Sequence, residues 1–301
     1  MWWIFDVLTF FFLITVAVFL IELHSGWGKQ KYKKTMMAIA IILGLGWLTV
    51  FYGSFIEPKI LVVRESAIEL SSEPTEQLRV AVVADFHVGP YKGERWVRQV
   101  VDRVMALEAD LIIMPGDFIF RIKDEVEMLA PIKDLSAPFG VWAVTGNHDY
   151  EDDASRVVVE TLESYGVVVL ENERERIAVG ESEVVIAGVS DIWYEGDVER
   201  TLVGLEGEEV VLLISHNPDA VLHKTADRAD LVIAGHTHGG QIRLPVIGAV
   251  PQIPTELGNA FDKGLFSYND QQLFITSGVG ETGPRARLFN PPEINLLTIS
   301  L

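Results

Sequence analysis

Two nearly uncharged stretches at the front of the chain restrict what it can fold into more than anything that follows. Residues 1–21, MWWIFDVLTFFFLITVAVFLI, carry one charge, Asp6, and residues 35–56, TMMAIAIILGLGWLTVFYGSFI, carry none. Each approximates the ~20 residues that cross a bilayer as a helix. Between them lie Lys29, Lys31, Lys33 and Lys34, whereas no Lys or Arg precedes the first run. By the positive-inside rule the loop is cytoplasmic, which puts the chain after residue 56 on the far side of the membrane. A cleaved signal peptide needs a basic leading segment and a small-residue cleavage site, and this front has neither. The expected organisation is a two-span membrane anchor over residues 1–58 and a folded domain over 59–301.

Charge and cysteine content then narrow the chemistry. The anchor holds four Lys and three acids of a chain with 24 basic and 43 acidic residues, so the domain is strongly acidic. Phosphate neutralisation needs the opposite sign, and no nucleic-acid partner is expected. The absence of cysteine excludes disulfides, thiolate metal sites and a Cys nucleophile. Any metal chemistry must use imidazoles, carboxylates and amides.

Past the anchor, short apolar runs alternate with amphipathic ones. LRVAVVAD (78–85) reads as a buried strand, and residues 94–109 place Trp96, Val97, Val100, Val101, Val104, Met105 and Leu107 mostly on one helical face. The cycle continues through DLIIMPGD, VWAVTGNHD, VVVL, EVVIAGVSD, EVVLLISH and DLVIAGHTH, with helical patterns near 124–135, 154–165 and 217–226. From about residue 240 Gly and Pro become frequent, and two late strands, QLFITSG and INLLTIS, remain. The stretch ILVVRESAIEL ahead of the first core strand is itself strand-like. An α/β domain with a sheet-rich core follows.

Five of these strands end on residues that a buried strand has no structural need for. They deliver Asp85 and His87, then Asp117, then Asn147, His148 and Asp149, then His216, then His236 and His238. Ligands of α/β sheets bind at such carboxyl ends. Singly, an Asp after a strand is a turn or helix cap and a His there is a surface residue. Five of the seven His of the chain in these positions, in the order D-x-H, G-D, G-N-H-D, H, G-H-T-H, form a far more specific pattern.

That set resembles the calcineurin-like metallophosphoesterase superfamily, over roughly residues 60–300. GHTHGGQ together with the later GETGPRARLFNPPEI is most similar to its membrane-tethered bacterial and archaeal phosphodiesterases. The resemblance implies two packed mixed β-sheets flanked by helices. It also implies two divalent metal ions, one held by Asp85, His87, Asp117 and His238 and the other by Asp117, Asn147, His216 and His236, with Asp117 as bridge. His148 would be the outer-sphere acid, oriented by Asp149. Protein phosphatases of the superfamily carry an Asp, and purple acid phosphatases a Tyr, three positions after the bridge; Phe120 stands there in this chain. Neither identity is therefore expected.

The chemistry suits these residue types. Two divalent ions roughly 3.5–4 Å apart clamp the attacking and leaving oxygens of a phosphoryl displacement and acidify water. Ions that close require an anionic bridge such as Asp117. Mixed imidazole, carboxylate and amide donors favour Mn, Fe, Zn or Co over Ca or Mg. The expected activity is cleavage of a phosphodiester or pyrophosphate bond in an envelope lipid, a nucleotide-linked lipid or a cell-wall polymer. A membrane-anchored, non-catalytic metal-binding scaffold and a phosphomonoesterase are the alternatives. Arg243, Arg287, Trp193 and Tyr194 are candidates for reading the substrate, with structural ion pairs and core or rim packing as their ordinary roles.

The topology has a direct test, because a substituted cysteine is the only thiol. A membrane-impermeant maleimide applied to intact cells, with any outer membrane permeabilised, is expected to label Ser72→Cys and to spare Lys31→Cys until lysis. The opposite pattern puts the domain in the cytoplasm, and labelling of both contradicts two spans.

Overall fold

Period-two alternation in the central strands builds the domain. In β2 (Gln77–Val82), Leu78, Val80 and Val82 point to one apolar layer and Ala81 to another; in β8 (Val210–Ser215), Leu212 and Ile214 oppose Val211 and Leu213 in the same way. Such strands are buried on both faces, as a sheet sandwiched between layers requires. The structure, a computed structural model, describes residues 3–26, 32–71, 74–205, 209–269 and 271–301. Lys29, Lys31 and Ser72 lie outside the described residues.

Two six-stranded mixed sheets result. The first has the order β1 (Val62–Glu69), β14 (Glu293–Ser300), β2, β3 (Leu111–Pro115), β4 (Val141–Val144), β5 (Val168–Val169). The second runs β12 (Gly264–Tyr268), β13 (Gln271–Ile275), β9 (Leu231–Ala234), β8, β7 (Ser182–Val189), β6 (Glu173–Val179). The strands β2, β3, β4 and β5 pair in parallel, as do β13, β9, β8 and β7, so the carboxyl ends within each set lie together. Leu78, Val80, Ile113, Ile186, Ile214 and Phe274 fill the layer between the sheets. Outside the first sheet lie α3 (Glu94–Met105) and α4 (Ser155–Ser164), which pack Val97, Val100, Val104, Val158 and Leu162 onto Ile112 and Met114. Outside the second lie α5 (Val198–Leu202) and two 3-10 turns, Pro218–Leu222 and Lys224–Arg228.

The local structure departs from expectation in four places. The helix expected over 94–109 ends at Met105, and Glu108 turns through the left-handed region at φ 49°. The one expected near 124–135 is a 3-10 segment, Lys123–Asp134, which holds Pro131 in its interior, where the ring removes an N–H and crowds the preceding turn. The region near 217–226 is two 3-10 turns rather than one helix. The edge strands β6 and β12 were not apparent from the pattern: β6 reads ERERIAV, and its charged side chains face solvent and protect an open sheet edge.

At the front, α1 (Trp3–Ser25) and α2 (Lys33–Phe51) pack side by side, with Trp47 Nε1 donating to the Leu13 carbonyl at 2.9 Å. Most of their apolar side chains are exposed, Phe11 by 69% and Ile42 by 68%, and both helices have the length and composition to cross a membrane. A π-turn (Tyr52–Ile56) and a 3-10 turn (Glu57–Lys59) lead into the domain. Gly53, Ser54, Glu57 and Pro58 are buried there, so the packed unit reaches back ahead of residue 59.

Ile214, fully buried between the sheets, gives a check on this packing. Ile214→Ala is expected to destabilise the fold by about 2–5 kcal/mol, the usual cost of a methyl-rich cavity. A thermal-unfolding midpoint unchanged from the parent protein would contradict the inter-sheet location.

Candidate metal centre

The candidate ligands gather where parallel strands stop. β2, β3, β4, β8 and β9 end at Val82, Pro115, Val144, Ser215 and Ala234, and Asp85, Asp117, Asn147, His216 and His236 follow within three residues. The first three strands belong to one sheet and the last two to the other. Most of the loops enter the left-handed region at the ligand itself: φ is 55° at Asp85, 42° at His87, 56° at Asp117, 69° at His236 and 51° at His238. Asp and His tolerate that conformation better than branched residues do. Each still costs on the order of 1–3 kcal/mol, and such strain concentrates at functional sites.

Distances within the cluster are short. Asp117 Oδ2 lies 3.3 Å from His87 Nε2 and 3.1 Å from His216 Nε2. His87 Nε2 is 3.0 Å from His238 Nε2, His216 Nε2 is 3.1 Å from His236 Nδ1, and His238 Nε2 is 3.7 Å from Asp85 Oδ1. Two sets arise whose donor atoms lie within 4.8 Å of one another: Asp85, His87, Asp117 and His238, and Asp117, His216 and His236. Asp117 belongs to both. Asn147, half-buried, leaves its Oδ1 buried without a hydrogen-bond partner, and so does Asp85 Oδ2.

Backbone carbonyls fix two of the rings. A carbonyl only accepts, so His216 Nδ1, 2.7 Å from the Pro115 oxygen, and His236 Nε2, 2.9 Å from the Pro254 oxygen, carry the protons. In the neutral ring the lone pair is then on the other nitrogen, His216 Nε2 or His236 Nδ1, which faces into the cluster, an arrangement found behind metal-ligating imidazoles. Burial pushes His87 down to about 4 and His236 to about 3, and holds His238 well below the usual histidine value. Burial also opposes charge on His216, but the Asp117 carboxylate outweighs it and lifts that ring to about 10. At Asp117 burial favours the neutral acid, and the facing His216, His148 and His87 overcome it, so the carboxyl stays well below its ordinary range.

Converging, desolvated lone pairs around a buried anion are costly unless a cation joins them. The donor set of imidazoles, carboxylates and one amide therefore fits divalent transition ions. Neighbouring glycines give the cluster its room. A Cβ on Gly146 would fall 2.3 Å from Asp117 Oδ1, and one on Gly278, at φ 67°, 2.4 Å from Asp85 Oδ2.

The structure puts His148 beside this cluster, its ring edge-on to that of His87 with centroids 4.6 Å apart. Its Nδ1 donates to the Phe120 carbonyl at 2.7 Å, with Glu151 Oε1 at 3.5 Å, and its Nε2 is 3.4 Å from Thr282 Oγ1. Asp149, expected to orient His148, does something else. Its carboxylate accepts the backbone N–H groups of Asp117, Phe118, Ile119 and Gly146 at 2.8–3.2 Å, and so braces the Asp117 loop. The reason is local: Asp149 is the third residue of the 3-10 turn Asn147–Asp153, and its side chain folds back beneath the turn.

Other candidates sort by their contacts. Arg287 is fully buried and donates to the carbonyls of Ser277, Gly278, Gly280 and Asn290, which makes it a strut for the loop behind Asp85. Arg243 pairs with Asp262. Trp193 lies edge-on to His236 with centroids 4.6 Å apart and so rims the centre, whereas Tyr194 stacks on Tyr150 at 4.4 Å. A mainly apolar cavity of about 460 Å³ adjoins His236 and His238, walled by Ile242, Val250, Ile253 and Pro254. No sequence pattern gives Asn290 a role, yet its Nδ2 donates to the His238 carbonyl at 2.7 Å. The NPPEI motif marked the segment without saying which residue mattered.

Residues 78–244, more than half of the chain, match the calcineurin-like phosphoesterase superfamily domain, and the chain belongs to that family. The family is one of metal-dependent phosphoester hydrolases. The chain is 28% identical over 255 residues to the uncharacterized metallophosphoesterase YkuE of Bacillus subtilis, covering 82% of this chain and 88% of that one. It is 25% identical over 278 residues to the phosphodiesterase YaeI of Escherichia coli, covering 90% and 98%. A transmembrane protein with a metallophosphoesterase domain from Danio rerio is 28% identical over 289 residues, covering 89% and 63%. Against three of its relatives the chain spans 57%, 59% and 63% of their length.

The position of Asp149 gives a discriminating variant. Asp149→Ala strips four backbone donors of their acceptor, so it is expected to lower both the metal content and the unfolding temperature. Full metal content with only an altered pH–rate profile would return Asp149 to the role of orienting His148.

Proposed function

We propose that the chain hydrolyses a phosphodiester or pyrophosphate bond with the help of two divalent transition ions, on a substrate of the cell envelope, at the outer face of the membrane. The observation that carries this reading is Asp117 Oδ2, a buried carboxylate oxygen within 3.3 Å of imidazoles from two different sheets. An anion so shared suits two cations. Asp85, His87, Asp117 and His238 would hold one, and Asp117, Asn147, His216 and His236 the other. When bound, such ions supply Lewis acidity toward phosphoryl oxygens and lower the pKa of water.

The chain's own residues account for the remaining work. The Phe120 carbonyl keeps the proton on His148 Nδ1, so Nε2 is the atom left to exchange a proton with the leaving oxygen. Phe120 itself is buried and T-shaped against His87, so its side chain provides packing where some relatives carry a ligand. The apolar cavity beside His236 and His238 favours a substrate with an apolar group next to the phosphate, which supports a diester over a small monoester. The acidic character of the domain is no obstacle, because bound cations reverse the local field.

The test uses the full chain, since Glu57 and Pro58 are packed into the domain. Turnover of a chromogenic diester is expected to disappear in chelator and return with Mn²⁺. Asp117→Ala should lose both ions and His87→Ala mainly one; two tightly bound ions in Asp117→Ala would refute the bridge. His148→Ala is expected to keep its metals and lose about 10²- to 10⁴-fold in rate, the range of a general acid or base, with a smaller loss for leaving groups that need no proton. Loss of metal instead would make His148 a ligand.

A further inference from the structure

Away from the two apolar helices, the most exposed apolar side chains cluster on one hairpin. Strands β10 (Arg243–Leu244) and β11 (Gly248–Ala249) pair antiparallel around a tip that reads PVI. Val246 is completely exposed, Ile247 is 72% exposed, and Phe289 beside the hairpin is 59% exposed. Residues 244–250, LPVIGAV, carry no polar side chain. Turns between strands in water are ordinarily built from Gly, Asn, Asp or Ser. Here a β-branched residue, Val246, stands at φ 72°, a conformation that valine adopts only as an outlier. A strained turn that presents only hydrocarbon is what a surface in contact with apolar matter requires.

The hairpin is continuous with the end of the second apolar helix. Its first strand is anchored on Leu288, with Arg243 N–H donating to the Leu288 carbonyl at 2.9 Å and Leu288 N–H to that of Gln241 at 3.0 Å. One residue earlier, Arg287 N–H donates to the carbonyl of Gly53, in the turn that ends the helix, at 2.9 Å. Arg285 places its guanidinium 5.4 Å from the Phe55 ring, a cation over an aromatic at the level where a span would leave the hydrocarbon. The root of the hairpin also serves the site: Ile242 and Val250, joined by a hydrogen bond, wall the cavity next to His236 and His238.

We propose that the β10–β11 hairpin and Phe289 form a second membrane contact, with the lipid surface as partner, which seats the cavity beside the metal centre against the bilayer. This rests on reading α1 and α2 as membrane spans. Attachment at the interface strengthens with the apolar area buried at the headgroup and acyl boundary.

Because the chain has no cysteine, a spin label at a single position reports its surroundings in the full chain reconstituted into phosphatidylcholine nanodiscs. Val246→Cys is the probe, with Ile42→Cys on α2 as the lipid standard and Arg156→Cys on α4 as the water standard. The label at 246 is expected to collide more with oxygen than with a water-soluble nickel chelate, as at 42 and unlike at 156. A label at 246 that behaves like the one at 156 while 42 reads lipid overturns the hairpin contact alone. If 42 also reads water, the spanning assignment has failed and the proposal goes with it. Protection at 246 with spin–spin broadening that vanishes on dilution with unlabelled chain would assign the face to a second copy, and so overturn the lipid contact.

Discussion

A buried carboxylate at Asp117 is the constraint from which the centre is built. A charge without solvent must be compensated by its neighbours, and here they come from both halves of the fold. His87 and His216 face one oxygen, and the His148 N–H donates to the other at 2.8 Å. The two sheets must therefore end at the same level, which their parallel central strands allow. Gly146 has to lack a side chain for the same reason, since any Cβ would displace the carboxylate. Asp149 then carries the cost of the sharp turn beneath Asp117 by accepting the N–H groups that the turn leaves over.

Much of this was legible in the sequence, and the reason is physical. Central strands buried on both faces are apolar over most of their length, so a carboxylate or imidazole at their ends stands out against its surroundings. Asp85, Asp117, His216 and His236 declared themselves in that way. Edge strands carry no such contrast: ERERIAV reads as a solvated segment until β7 is beside it. The 3-10 segments were hidden for a related cause, because a helical spacing of apolar residues does not report whether the backbone closes three- or four-residue turns. Pro131 was the visible warning.

Roles within the site were less legible than membership. The sequence places Asp149 next to His148, yet adjacency in a tight turn sends consecutive side chains in different directions. His148 found its partner in the carbonyl of Phe120, a backbone atom that no motif encodes. The same holds for Pro115 and Pro254, whose carbonyls fix His216 and His236. Two arginines with the charge to read a phosphate are committed elsewhere, Arg287 to four carbonyls and Arg243 to Asp262. Residue type suggests chemistry, whereas the proton inventory around each nitrogen decides it.

The end of the second apolar helix belongs to the same network. Glu57, buried where that helix hands over to the domain, accepts the backbone N–H of Asn290, and Asn290 donates through its side chain to the carbonyl of His238. Lys92 donates to the carbonyl of Pro58 and pairs with Glu281, whose carboxylate also lies 3.6 Å from Arg287 Nε. Among the described residues, Asn290 alone thus links the Glu57 carboxylate at the end of the second apolar helix to a candidate ligand. Because buried polar groups that lose a partner cost more than exposed ones, cutting the chain at residue 59 would remove an acceptor from the interior of the domain, not from a linker. The change of composition near residue 58 therefore falls within a hydrogen-bond network that reaches the backbone of His238.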